Sequence, residues 1–204
     1  IRTFPAGTRD RETAARAQVA ETGATFVHPF EDPFVMAGQG TAALEFHRQV
    51  GPLDVLVVPM SGGGLMAGCA SAMHHLDPGC RMVGVEPALA DDTRQSFEAG
   101  RRVFIDPPRT IADGLAVVAP GKRTLSINRG LVSEVRTVTE QQISDATRFA
   151  NAEFGITVEP SGAVGIAALL DDPNAFAGRR IGVILSGGNL DPDRLLPAGV
   201  VGVG

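Results

Sequence analysis

The sequence predicts an α/β fold built on a mostly parallel open sheet with helices on both faces, and three observations carry that prediction. Residues 55–58 are an uninterrupted apolar run rich in β-branched side chains, and residues 180–185 form a second apolar run; both suit strands buried on two faces. Each run leads into a Ser-Gly-Gly turn, one at Ser61 and one at Ser186. Around them short strands alternate with helix-length segments, the order of βαβ units, and no repeat or low-complexity tract interrupts it.

From the start of the chain, Thr8 is placed to cap an Ala-rich, charged helix over residues 9–22, which Gly23 stops. Residues 24–28 read as a short strand and residues 28–33 as a loop. Residues 35–50 have helical character despite Gly38 and Gly40, and end at Gly51 and Pro52. The strand at 55–58 and a helix over 65–76 enclose three consecutive glycines. A turn through Asp77 and Gly79 leads to a strand at 81–85, which delivers Glu86 and Pro87 at its C-terminal end, the edge where ligands sit in open α/β sheets. A short helix over 93–99 closes at Gly100, residues 101–109 are irregular, and residues 110–115 are turn-like. A short helix over 124–132 precedes a strand at 134–138. Thr139 and Gln142 then form a capping box for a helix in which Ile143, Ala146, Phe149, Ala150 and Phe154 recur at helical spacing. Gly155 ends that helix, and Glu159 opens another, made of small residues, that runs to Leu170.

Composition excludes several functions. A net charge of -5 leaves no clustered basic surface for nucleic acid. No window approaches the ~18 apolar residues of a membrane span and the start has no signal-peptide pattern, so a cytoplasmic protein is expected. Cys69 and Cys80 have neither CxxC nor metal spacing and read as reduced thiols in or near the core. The adjacent His74 and His75 point about 100° apart on a helix and form no ligand pair. The 204 residues suffice for one sizeable core, or for one domain plus part of another. The chain begins with Ile, which reads as the C-terminal portion of something longer. Of its 18 basic residues only Lys122 is a lysine.

The first glycine turn, Ser61-Gly62-Gly63-Gly64-Leu65, has two readings. It is either a tight strand-to-helix connection or an anion cradle, in which backbone amides and the positive end of the following helix converge on a phosphate. It lacks the Lys-Ser/Thr of a P-loop and the G-x-G-x-x-G of a dinucleotide fold, so a bound phosphate belongs to another cofactor.

Two Ser-Gly-Gly turns, with Glu86, Ala90 and Asp92, the run Thr110-Ile111-Ala112-Asp113-Gly114 and the run Glu159-Pro160-Ser161-Gly162 between them, form an ordered set. That set, from about the first helix to Asn189 and including the run from Ala37 to Thr41, resembles the C-terminal part of serine/threonine dehydratases and serine racemases. These are pyridoxal-phosphate enzymes of fold type II, the tryptophan-synthase-β-like fold. The resemblance implies that residues 1–34 are the end of a smaller, mobile domain and residues 35–204 a large cofactor-binding domain. It implies that Ser61, Gly62, Gly63, Gly64 and Leu65 cradle the cofactor phosphate, and that the Ser186 hydroxyl faces the pyridine nitrogen, with Gly188 and Asn189 shaping the same wall. A neutral hydroxyl there makes the ring a weaker electron sink than a carboxylate would, which favours β-elimination. Glu159 matches a residue near the cofactor ring; its alternative reading is a carboxylate favoured by a helix N-terminus. Glu86, the Ala90 carbonyl and Asp92 resemble a divalent-cation site whose hard oxygens suit magnesium, calcium or manganese; the alternative is a set of acidic caps.

The chain departs from the family at its lysine. The Schiff-base lysine and the substrate-carboxylate loop lie upstream of the glycine loop in the family, and Lys122 lies in a polar turn on the wrong side of it. No catalytic residue is therefore assigned within these residues, and the chain reads as part of a longer enzyme. The implied activity is dehydration of a small 3-hydroxy amino acid such as L-threonine or L-serine to a 2-oxo acid and ammonia, in a homo-oligomer, expected to be a dimer, with no nucleic-acid or membrane partner. Serine racemase and 3-hydroxyaspartate dehydratase are the near alternatives. A non-catalytic phosphate- or cofactor-binding module is the alternative from another class.

Overall fold

The computed structural model describes residues 11–195. The Thr8 cap and most of the Gly- and Pro-rich tail after Leu190 lie outside them. Four strands, β1 (Val55–Pro59), β2 (Arg81–Pro87), β3 (Glu134–Val138) and β4 (Ile181–Val183), make one sheet in the order β3-β2-β1-β4. Every pairing is parallel, with Val57 opposite Val83 on one side and Val183 on the other. Because β1 lies between β2 and β4, its five residues are all buried, as its unbroken apolar run requires.

Alternate residues of β1 serve two cores. Val55 and Val57 face the helices α6 (Glu140–Phe154) and α7 (Pro160–Asp171), where Ile143, Ala146, Ala163 and Val164 fill the space. Leu56 and Val58 face α2 (Pro33–Val50) and α3 (Gly64–Leu76), against Ala43, Met66 and Met73. The sheet is thus covered on both faces, as expected of buried parallel strands. The glycines of α2 and α3 have a packing reason. A Cβ on Gly40 would lie 2.6 Å from the Gly68 carbonyl oxygen, and one on Gly68 would lie 2.2 Å from that of Met36, so α2 and α3 touch backbone to backbone.

The remaining α-helices among the described residues are α1 (Arg11–Thr22), α4 (Asp92–Ala99) and α5 (Lys122–Leu131). The capping box forms as predicted: the Gln142 amide donates to Thr139 Oγ1 at 3.3 Å, and the Thr139 amide donates to Gln142 Oε1 at 2.7 Å. Both cysteines are free and buried, and burial pushes both thiols up to about 11.

Three expectations change. Residues 24–28 form no strand, and among the described residues no strand pairs with them; the segment makes ring contacts instead, with Phe26 and His28 edge to face at 5.8 Å and Arg16 over Phe26 at 4.8 Å. The run 180–185 keeps only three residues as strand, because after the Ile184 amide bonds the Val57 carbonyl at 2.9 Å the chain turns to lay the Ser186 carbonyl over Gly162. Lys122 stands in the first turn of α5 rather than in a turn before it, and is exposed. Among the described residues no helix is long and apolar enough to cross a membrane.

Candidate functional site

The strand order places the site. From β1 the chain steps to β2 and β3 on one side, then returns to place β4 on the other, so the order reverses between β1 and β4. The crevice at the C-terminal ends of two such strands is where open α/β sheets take their ligands. Ser61 follows β1 and Ser186 follows β4, so both Ser-Gly-Gly turns stand at that one point.

The first turn is built from its carbonyls outward. Thr93 Oγ1 donates to the Ser61 carbonyl at 3.0 Å, Thr124 Oγ1 and the Gly121 amide donate to that of Gly62 at 2.5 and 3.1 Å, and Asn128 Nδ2 donates to that of Gly63 at 3.1 Å. Ser61 Oγ donates to the Leu115 carbonyl at 3.2 Å, so this hydroxyl anchors the loop. Gly63 takes a left-handed φ of 89° as the N-cap of α3, a position where an L side chain is strained. Among the described residues, the amides of Gly62, Gly63, Gly64 and Leu65 donate to no protein acceptor. Unpaired amides at a helix start, beside the positive end of α3, fit a phosphate group.

The second turn meets Glu159. This residue occupies the N-cap of α7, yet its carboxylate makes no capping bond; it reaches across to the second turn, where the Asn189 amide donates to Oε2 at 3.2 Å. The Glu159 amide in turn donates to the Gly187 carbonyl at 3.3 Å. Gly114 closes the group, its amide donating to Ser161 Oγ at 2.9 Å. Ser186 is half-buried beside them, while Gly188 and Asn189 are exposed at the rim. Glu159 thus stands at the N-terminus of α7, where the dipole favours a carboxylate, and also bonds the second turn.

Glu86, Ala90 and Asp92 lie one strand away. Glu86 stands near the C-terminal end of β2 and Asp92 begins α4, and both are fully buried, as is Ala90. The Arg94 amide donates to Glu86 Oε2 at 3.0 Å, but Glu86 Oε1 and both carboxylate oxygens of Asp92 are buried without a hydrogen-bond partner. Burial, reinforced by the charge of Asp92, holds Glu86 well above the usual carboxylate range, and burial likewise pushes Asp92 up to about 8. Among the described residues no three His, Cys, Asp or Glu side chains gather into a metal cluster. The orphaned buried oxygens of Glu86 and Asp92 are of a kind that fits a hard cation. A cavity of about 590 Å³ lies among α2, α3 and α5, and none of these site residues lines it.

Thr124 and Asn128 were not legible as site residues, although both are fully buried and grip the loop. The available signal was their i, i+4 spacing: two polar side chains on one face of a short helix whose other buried residue is Leu125.

A parallel sheet with a glycine turn of unpaired amides and a second glycine turn at its reversal point defines an α/β protein of the open-sheet class. The comparisons give the family. Residues 1–187 match the family model described as pyridoxal-phosphate dependent enzyme, and the chain belongs to that family. It is similar to beta-hydroxyaspartate dehydratase of Paracoccus denitrificans, 44% identical over 94% of this chain and 60% of that protein. It is similar to serine racemase of Schizosaccharomyces pombe, 43% identical over 91% of this chain and 57% of that protein. Among solved structures it resembles the T.th. threonine deaminase, with a TM-score of 0.83 and 42% identity over 88% of this chain and 65% of that one. The chain thus spans less than two thirds of the length of each of these proteins.

Proposed function

We propose that the polypeptide containing this chain is a pyridoxal-phosphate-dependent dehydratase, an ammonia-lyase, of a small 3-hydroxy amino acid such as L-threonine or L-serine, releasing a 2-oxo acid and ammonia. The observation that carries the reading is the pair of Ser-Gly-Gly turns at the reversal point of the sheet, one with unpaired amides and the other presenting a hydroxyl, Ser186, rather than a carboxylate. Pyridoxal phosphate, when bound, supplies an electron sink for the bond breaking at the substrate Cα. In this reading the amides of Gly62, Gly63, Gly64 and Leu65, with Ser61 anchoring them, hold the phosphate. Ser186 accepts or donates at the ring nitrogen without keeping it protonated, and Gly188 and Asn189 form the adjoining wall. Glu159 holds that wall through the Asn189 amide. Glu86, the Ala90 carbonyl and Asp92 hold a magnesium, calcium or manganese ion, which neutralises two carboxylates that burial otherwise penalises. The Schiff-base lysine and the substrate-carboxylate loop are supplied from outside these residues. Residues 1–34 are the end of a mobile smaller domain and residues 35–204 the cofactor-binding domain, within a cytoplasmic homodimer.

Incubating the native polypeptide separately with L-threonine, L-serine and 3-hydroxyaspartate, while measuring 2-oxo acid and ammonia, tests the reading. Equal yields of 2-oxo acid and ammonia from threonine or serine support it; no 2-oxo acid from any of the three overturns it. The names carried by the two relatives favour a second reading, turnover of 3-hydroxyaspartate or racemisation of serine. Oxaloacetate as the dominant product, or D-serine formed faster than pyruvate, identifies it.

A further inference from the structure

We propose that Glu31 is a positioning residue for the phosphate loop: it fixes the start of α5, and α5 in turn holds the carbonyls of Gly62 and Gly63 so that the loop amides stay turned toward the ligand. The proposal rests on the reading of residues 61–65 as the phosphate site.

The N-terminus of α5 has no local cap, because its N-cap is Gly121 and has no side chain to offer. Glu31 supplies the cap from 92 residues away: the Arg123 amide donates to its two carboxylate oxygens at 3.0 and 3.3 Å, and the Thr124 amide donates to Oε1 at 3.3 Å. Arg123 Nη1 returns a bond to the Glu31 carbonyl at 3.1 Å. Gly121 is what admits the carboxylate, since a Cβ there would lie 1.9 Å from Glu31 Oε1. A carboxylate at a helix N-terminus is also favoured by the dipole. The helix it anchors then presents Thr124 and Asn128, on one face, to the Gly62 and Gly63 carbonyls.

The segment carrying Glu31 is itself fixed against the loop. His28 Nδ1 accepts from the Phe30 and Glu31 amides at 3.3 and 3.1 Å, and the Phe30 ring lies edge to face on His28 at 4.5 Å. Phe30 packs on the glycines themselves, for a Cβ on Gly62 would meet its ring at 2.4 Å and one on Gly64 would meet its Cβ at 2.8 Å. On the far side Asp32 Oδ1 caps α2 through the Phe34 and Val35 amides at 2.8 and 3.2 Å. One turn thus supports the cradle directly through Phe30 and indirectly through Glu31 and α5.

The experiment uses the native polypeptide freed of cofactor, with pyridoxal phosphate, pyridoxal and inorganic phosphate as probes. Glu31→Ala is expected to weaken pyridoxal phosphate about tenfold while leaving pyridoxal, which lacks the phosphate, within about twofold. Glu31→Gln, whose amide oxygen still accepts from Arg123 and Thr124, is expected to bind pyridoxal phosphate to within about threefold of the parent, and guards against a variant that fails to fold. Equal losses for the two ligands, or no loss for either, overturn the positioning role. If the unaltered protein binds pyridoxal as tightly as pyridoxal phosphate and inorganic phosphate does not compete, the phosphate-site reading itself fails, and the proposal with it.

Discussion

Glu159 and Gly187 fill one another's space: a Cβ added to Gly187 would lie 2.4 Å from the Glu159 carboxyl carbon and 2.5 Å from each of its oxygens. Gly187 also takes a φ of 83°, in the left-handed region that favours glycine. The residue after Ser186 is therefore fixed twice, by its own backbone and by a carboxylate arriving from α7.

Replacing Gly187 with alanine is expected to cost about 1–3 kcal/mol of stability from the left-handed backbone alone. Displacement of Glu159 also loosens the wall beside Ser186, so cofactor affinity falls in parallel. Denaturant unfolding and cofactor titration of the variant check both effects, and unchanged values in both contradict the packing described.

The buried pair Glu86 and Asp92 gives a pH prediction. Burial raises both carboxyls above their ordinary values, with Asp92 at about 8, so without a cation the folded protein binds more protons than the unfolded chain. The stability these groups contribute is fully present below about pH 4 and is lost as pH rises toward about 8. Chelated protein is expected to melt at progressively lower temperature between pH 5 and pH 8, on the order of several degrees. Added magnesium or manganese, which needs ionised ligands, raises the melting temperature more at pH 8 than at pH 5. A cation effect that is absent, or equal at both pH values, removes the site.

Thr139 Oγ1 supplies the N-cap half of the capping box of α6, accepting from the Gln142 amide, so Thr139→Ala is expected to lower stability by about 1 kcal/mol. Because among the described residues the Thr139 side chain bonds only Gln142, cofactor affinity is expected to stay unchanged. Paired unfolding and binding measurements check this, and a loss of affinity would show that the helix serves the site after all.

The sequence revealed what is encoded locally. The glycine turns follow apolar runs directly, the capping box is a four-residue pattern, and Glu86 to Asp92 is a compact spacing; each is visible because the interacting groups are near one another in the chain. Residues acting over distance were hidden. Nothing adjacent to Glu31 shows that it caps a helix 92 residues away, and Gly121 reads as a turn glycine until the carboxylate it admits is seen. The apolar run at 180–185 extends beyond its strand because hydrophobicity reports burial, whereas the ladder ends where the chain turns over Gly162. The apolar, β-branched composition at 24–28 marks a segment that packs its rings without a strand partner.

If these residues hold pyridoxal phosphate for chemistry carried by a lysine outside them, borohydride reduction of the native polypeptide will show it, read by intact mass and peptide mapping. The expected product carries one phosphopyridoxyl group on a lysine outside this 204-residue sequence, and the visible absorption band is lost on reduction. A phosphopyridoxyl group on Lys122, or none on any lysine, would refute that division of labour.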